Sequence, residues 1–173
     1  MNYQIEKATE VLSRTPLVLR SLLAGLSDVW THQNEGDGSW SAFQVVGHLI
    51  INEETNFLPR AKLILSASEP PLLSPIDMTS HLTRFRDFEI DNLLSLFERL
   101  RLENLDSLKS LQVSEADLVK KAIHPKVGMI QLSHVLSTWV AHDLIHLGQI
   151  TRVMAKQYKQ AVGSFIEFLP RLN

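Results

Sequence analysis

From Leu132 to about Tyr158 the chain runs without proline, and Val135, Trp139, His142, His146, Gln149 and Val153 recur at helical spacing on one face. This predicts a long amphipathic helix. Three further segments carry the same period. Ile5, Ala8, Val11, Leu12, Leu19, Leu22, Leu23 and Leu26 predict a first helix reaching Trp30, with Pro16 expected to bend or interrupt it. The turn residues Asn34-Glu35-Gly36-Asp37-Gly38 end that pattern. Ser41-Ala42-Phe43-Gln44 then reads as a capping box, with Trp40 and Val45 in the positions of a hydrophobic staple. The second helix continues through Val46, His48, Leu49, Ile50 and Phe57, and Pro59 should kink it near its end. A third helix is expected from near Thr83, through Phe85, Phe88, Leu93, Leu94, Phe97, Leu100 and Leu105 to Leu108.

Between the second and third helices, Ser66 to Ser80 is polar and holds Pro70, Pro71 and Pro75. A loop of this length in a bundle serves as a crossover that lets neighbouring helices run parallel, and it can also cover a site. Ser114-Glu115-Ala116-Asp117 predicts a short capped helix, His124-Pro125-Lys126-Val127-Gly128 a turn, and Phe165 to Leu169 a short closing helix stopped by Pro170. No strand alternation of useful length and no internal repeat stands out. The expected architecture is all-α: a four-helix bundle with a long crossover and short extra helices, a single domain over residues 1–173.

Composition narrows the chemistry. The formal charge is −2, with 17 basic and 19 acidic residues, so there is no electrostatic case for nucleic acid or an anionic membrane surface. No apolar run reaches membrane-spanning length, and Met1 to Lys7 lacks the pattern of a signal peptide; a cytoplasmic location is expected. There is no cysteine, which excludes disulfides, thiolate metal ligands and a cysteine nucleophile. Any metal must be held by His, Asp or Glu.

His142 and His146 are four apart, so they lie about 40° apart on one helix face, one turn above the other. One buried histidine is ordinarily a hydrogen-bonded core residue. Two stacked imidazoles can instead chelate one ion, and His48, on the second helix, is the candidate third ligand. Three neutral nitrogens suit Zn²⁺, Ni²⁺, Fe²⁺ or Co²⁺ and leave open positions for water or substrate. Two other metal motifs fit poorly. His142-Asp143-Leu144-Ile145-His146 approaches the zinc-protease pattern, with Glu167 downstream, but carries the shorter Asp and no sheet to pair a peptide. Di-iron bundles need Glu three residues before a ligand histidine; here those positions hold Trp139 and Asp143.

Trp40 to Leu49, Glu53, Pro59-Arg60-Ala61, Phe97, Leu100-Arg101, Asn104-Leu105, His124-Pro125, and Thr138 to His146 with Gln149-Ile150 resemble the DinB superfamily, in order along nearly the whole chain. The likeness continues through Arg152, Met154-Ala155 and Tyr158 to Val162-Gly163. It implies a four-helix bundle with one long crossover and a three-histidine site, which by position is His48, His142 and His146. It also implies metal-dependent chemistry: a transferase using a low-molecular-weight thiol such as bacillithiol or mycothiol, or a hydrolase, acting on a small electrophilic substrate. Gln131 and Phe165 depart from the family pattern, where a threonine cap and a tryptophan are usual; neither is a ligand.

Beyond the three histidines, Arg60, Gln149 and Arg152 are candidates to orient substrate, and Asp143 is a candidate hydrogen-bond partner for a ligand histidine, although its helix position points it away from His142. The competing class is a non-catalytic, stress-linked bundle whose ion only pins helices together. A homodimer is compatible with either reading.

Overall fold

The computed structural model describes residues 3–36 and 38–172; Met1, Asn2, Asp37 in the predicted turn, and Asn173 lie outside the described residues. Helices α1 (Ile5–Leu12) and α2 (Thr15–Leu23) form one interrupted segment, with Pro16 in the first turn of α2, where its missing N–H costs nothing. A short α3 (Asp28–His32) precedes α4 (Ala42–Thr55). Ser41 and Gln44 form the expected capping box, Gln44 N–H donating to Ser41 Oγ at 3.2 Å and Ser41 N–H to Gln44 Oε1 at 2.9 Å. The helix then breaks at Asn56 and resumes as α5 (Phe57–Ser66). The break lies three residues before Pro59, which can neither donate to the carbonyl of Thr55 nor fit its ring against it.

After the crossover come a one-turn α6 (His81–Arg84), the long α7 (Ile90–Ser110) and a capped α8 (Glu115–Leu118). Two four-residue strands, β1 (Lys121–His124) and β2 (Gly128–Gln131), pair antiparallel around the predicted turn. Helix α9 (Leu132–Lys156) follows directly, and the chain closes in 3₁₀ turns over Gly163–Phe168 and Pro170–Leu172. Among the described helices none is long and apolar enough to cross a membrane.

Two apolar clusters show how the helices run. One gathers Leu19 and Leu23 late in the first segment, Val45 to Ile51 of α4, Ile90 to Phe97 early in α7, and Ile150 late in α9. The other gathers Ala8 and Leu12, Phe57 to Ile64 of α5, Leu108 of α7, and Leu132 to Trp139 early in α9. Segment α1–α2 therefore runs parallel to α9, and α4–α5 runs parallel to α7. This is an up-down-down-up bundle in which the crossover joins the two parallel neighbours α5 and α7, as its length required.

Two expectations are corrected. The third helix does not run unbroken from Thr83: Phe85 to Glu89 leave the helix, and regular structure restarts at Ile90 behind an extended Glu89. Phe85 is 1% exposed and packs edge-on to Phe88, so tertiary burial overrides a locally helical pattern. The hairpin is also unforeseen. Only Ala122 of β1 is buried, so the strands are too short and too exposed to alternate visibly. The hairpin pins the crossover, with Leu73 N–H donating to Ile123 O at 2.9 Å and Ile123 N–H to Pro71 O at 2.8 Å.

Candidate metal centre

The antiparallel packing of α4 on α9 brings together side chains 94 residues apart. His48 Nε2 lies 3.2 Å from His142 Nε2, and His146 Nε2 lies 3.1 Å from the same atom. One ring nitrogen from each of the three histidines falls within 4.8 Å of the others. An ion with metal–nitrogen bonds of about 2.0–2.1 Å sets its ligand nitrogens roughly 3–3.4 Å apart, so the spacing fits. His48 is 2% exposed, while His142 and His146 are half-buried.

Hydrogen bonding alone does not satisfy this cluster. Gln149 Oε1 accepts from His146 Nδ1–H at 2.8 Å, which leaves His146 Nε2 with a lone pair. His142 Nε2 faces both neighbours, but a single proton there can serve only one, and its Nδ1 is buried without a partner. A cation shared by the three lone pairs resolves the conflict at Nε2, while His142 Nδ1 keeps no partner among the described residues. Charge points the same way: burial, and after it the neighbouring imidazoles, push His48 and His142 down to about 3, and burial lowers His146 as well. All three rings are neutral near pH 7, the state a metal ligand needs.

Around the trio, Trp40 does not serve as the predicted staple alone. Its ring lies 4.7 Å from that of His48 and 6.4 Å from that of His146, forming an aromatic wall. His81, absent from the expected site, stands 5.5 Å from His48 and 4.6 Å from Trp40; it is 2% exposed and neither ring nitrogen has a hydrogen-bond partner among the described residues. Nothing in the pattern at Ser80-His81-Leu82 sets it apart from a surface histidine. His124, by contrast, caps the hairpin turn, its Nδ1 accepting from Lys126 N–H at 3.2 Å.

Of the remaining expected residues, Gln149 reaches the trio as an orienting partner of His146. Arg60 donates to Ser74 O at 2.6 Å and lines a cleft of about 290 Å³ between α5 and residues 73–77, together with Asn56 and Asp77. Arg152 is exposed and pairs with Glu35 at 2.7 Å. Asp143 is corrected: it accepts from Arg101 and Thr15, not from a ligand histidine. Thr15 Oγ1 donates to its Oδ2 at 2.6 Å, and Arg101 Nη2 to its Oδ1 at 3.0 Å. Arg101 also donates to Glu53 Oε1 at 2.7 Å and to Leu12 O at 2.8 Å, while Trp139 Nε1–H donates to Glu53 Oε1 at 2.9 Å. Burial alone would lower the Arg101 pKa; Glu53 and Asp143 raise it and hold the guanidinium charged. This buried ion cluster sits beneath the histidines and locks α4, α7 and α9 to one another and to the α1–α2 segment.

Comparison with known proteins agrees with these observations. A Bacillus licheniformis protein provisionally named a metal-dependent hydrolase is 31% identical over 150 residues, covering 85% of this chain and 83% of its own length. An Oceanobacillus iheyensis protein with the same provisional name is 25% identical over 143 residues, covering 82% of this chain and 81% of its own length. The solved structure of YfiT from Bacillus subtilis, described as a four-helix bundle of unusual topology, superposes with a TM-score of 0.72 over 92% of this chain and 88% of that one, at 23% identity; it bears on the fold alone. The sequence profile of the DinB superfamily matches residues 12–150. With that match over most of its length, the chain belongs to the DinB superfamily.

Proposed function

We propose that the chain is a metal-dependent enzyme in which His48, His142 and His146 hold one divalent ion, and that it transfers a small thiol to a small electrophilic substrate. The observation that carries this reading is the convergence of three neutral imidazole nitrogens, two of the three separations being 3.1 and 3.2 Å. A divalent ion so held supplies Lewis acidity and lowers the pKa of a coordinated thiol or water.

The protein's own groups define the rest. The described residues offer no fourth His, Cys, Asp or Glu donor in the group, so the shell is open, unlike that of a structural ion. Neutral ligands leave the full charge of the ion to favour an anion. No carboxylate hydrogen-bonds to the trio among the described residues, and the titratable ring beside it is that of His81, 5.5 Å from His48. A coordinated thiol needs the smaller drop in pKa to ionise, starting near 8.5 against about 15.7 for water, and this supports the thiol reading. The hydrolase reading stays as the second one, supported by the provisional names of the relatives. Trp40 shields one side of the trio. In this reading the cleft beside Arg60, lined also by Asn56 and Asp77, takes the rest of the substrate.

The test is elemental analysis of tag-free protein, followed by thiol-transfer and ester-hydrolysis assays with the metal found. His48→Ala and His142→Ala should each lose the ion while far-ultraviolet circular dichroism stays helical. Unchanged metal content in both variants would refute the assignment. Ester hydrolysis without thiol transfer would select the second reading.

A further inference from the structure

Three segments of the bundle carry charge on their outer faces. Exposed Glu6 and Glu10 stand on α1, Lys62 on α5, and Arg99, Glu103 and Asp106 on α7. The outer face of α9 differs. From Ser137 to Thr151, about 21 Å of helix, no exposed residue is acidic or basic; Asp143, the one carboxylate in that stretch, is buried against Arg101. Ile145 is 68% exposed near the middle of the strip, with Leu144 exposed beside it. The bond from Thr15 to Asp143 sets the start of α2 against α9 at the same level, and there α2 exposes Leu17, at 58%, and Val18. Gly148 lies on the same outer face. Glycine weakens a helix interior, and among the described residues nothing lies within 4 Å of where its Cβ would stand.

Such a face suits a copy of itself. In a two-fold pair each face meets its own counterpart, so a charge near the axis meets its like. A face without charge meets itself free of that repulsion. We propose that a second copy of this chain docks here, α9 against α9, with Leu17 and Val18 on the flank of the contact. Gly148 then has a purpose, since it lets the two backbones approach closely. Surface area agrees. The chain exposes 10109 Å², where a compact monomer of its mass exposes about 8,600 Å². The difference exceeds the area of about 800 Å² that each partner buries in a standard interface. His142 and His146 turn towards α4 and take no part in the contact.

The test is sedimentation velocity on the full-length protein over a range of micromolar concentrations. Wild type should sediment as a dimer. Ile145→Glu and Leu17→Glu, on two different helices so that the test survives one variant failing to fold, should each raise the dimer dissociation constant roughly a hundredfold or more, because like charges then meet inside the contact. Far-ultraviolet circular dichroism of each should stay helical. Leu102→Glu, at a similarly exposed leucine on α7, should leave the dimer intact. A monomeric wild type would overturn the proposal. So would a dimer that survives both substitutions, or one that Leu102→Glu dissociates equally well.

Discussion

Gln149 illustrates what one side chain contributes at this site. An imidazole that binds metal through Nε2 must carry its proton on Nδ1, and a hydrogen-bond acceptor there sets both tautomer and ring direction. Gln149 Oε1 does this for His146 at 2.8 Å. Gln149→Leu should therefore weaken metal binding by about 10–100-fold, the usual effect of losing such a partner. Gln149→Glu, which retains the acceptor, should not. Competition with a chromophoric chelator measures both, and a Leu variant with wild-type affinity would show that His146 is oriented by packing alone. Gln149 stood on the predicted apolar face, so its proximity to His146 was legible from spacing. Its role as partner was not, because spacing does not say which way an amide turns.

At the level of the helices, the approach of α6 to α4 shows how local preference yields to packing. Gly47 sits mid-helix, where glycine is disfavoured by about 1 kcal/mol relative to alanine. A Cβ there would meet Phe85 Cδ2 at 3.0 Å and His81 Cβ at 3.5 Å. Phe85 is buried and cannot give way freely. Gly47→Ala should lower the Tm, overpacking of about 1–3 kcal/mol outweighing the gain in helix propensity; thermal denaturation checks the sign, and a raised Tm would mean that α6 shifts without cost. The same contact explains the break at Phe85 to Glu89, for which the sequence there offers neither proline nor glycine. The start of α4, by contrast, was readable at Ser41 and Gln44, because a capping box is closed by atoms three residues apart.

For the molecule as a whole, the buried cluster of Arg101, Glu53 and Asp143 ties the bundle together under the metal site. Removing only the cation leaves two carboxylates buried without compensation. Arg101→Met should cost about 3–5 kcal/mol and lower the Tm sharply in chemical or thermal unfolding. Replacing all three by apolar residues of similar volume should restore much of that loss, since a buried ion cluster gains little over well-packed hydrocarbon. If the single variant unfolds like the wild type, the cluster does not hold the helices. The sequence by itself determined four helical segments, the capping boxes at Ser41 and Ser114, the crossover, and the face on which His142 and His146 stand, because each of these depends on residues within a turn or two of one another. Only the tertiary structure decided that His48 meets them across 94 residues, that His81 stands beside it, and that Asp143 turns to Arg101 instead of a ligand histidine. Periodicity states which face of a helix is buried; which faces then meet, and at what distance, is settled by the packing of the whole chain.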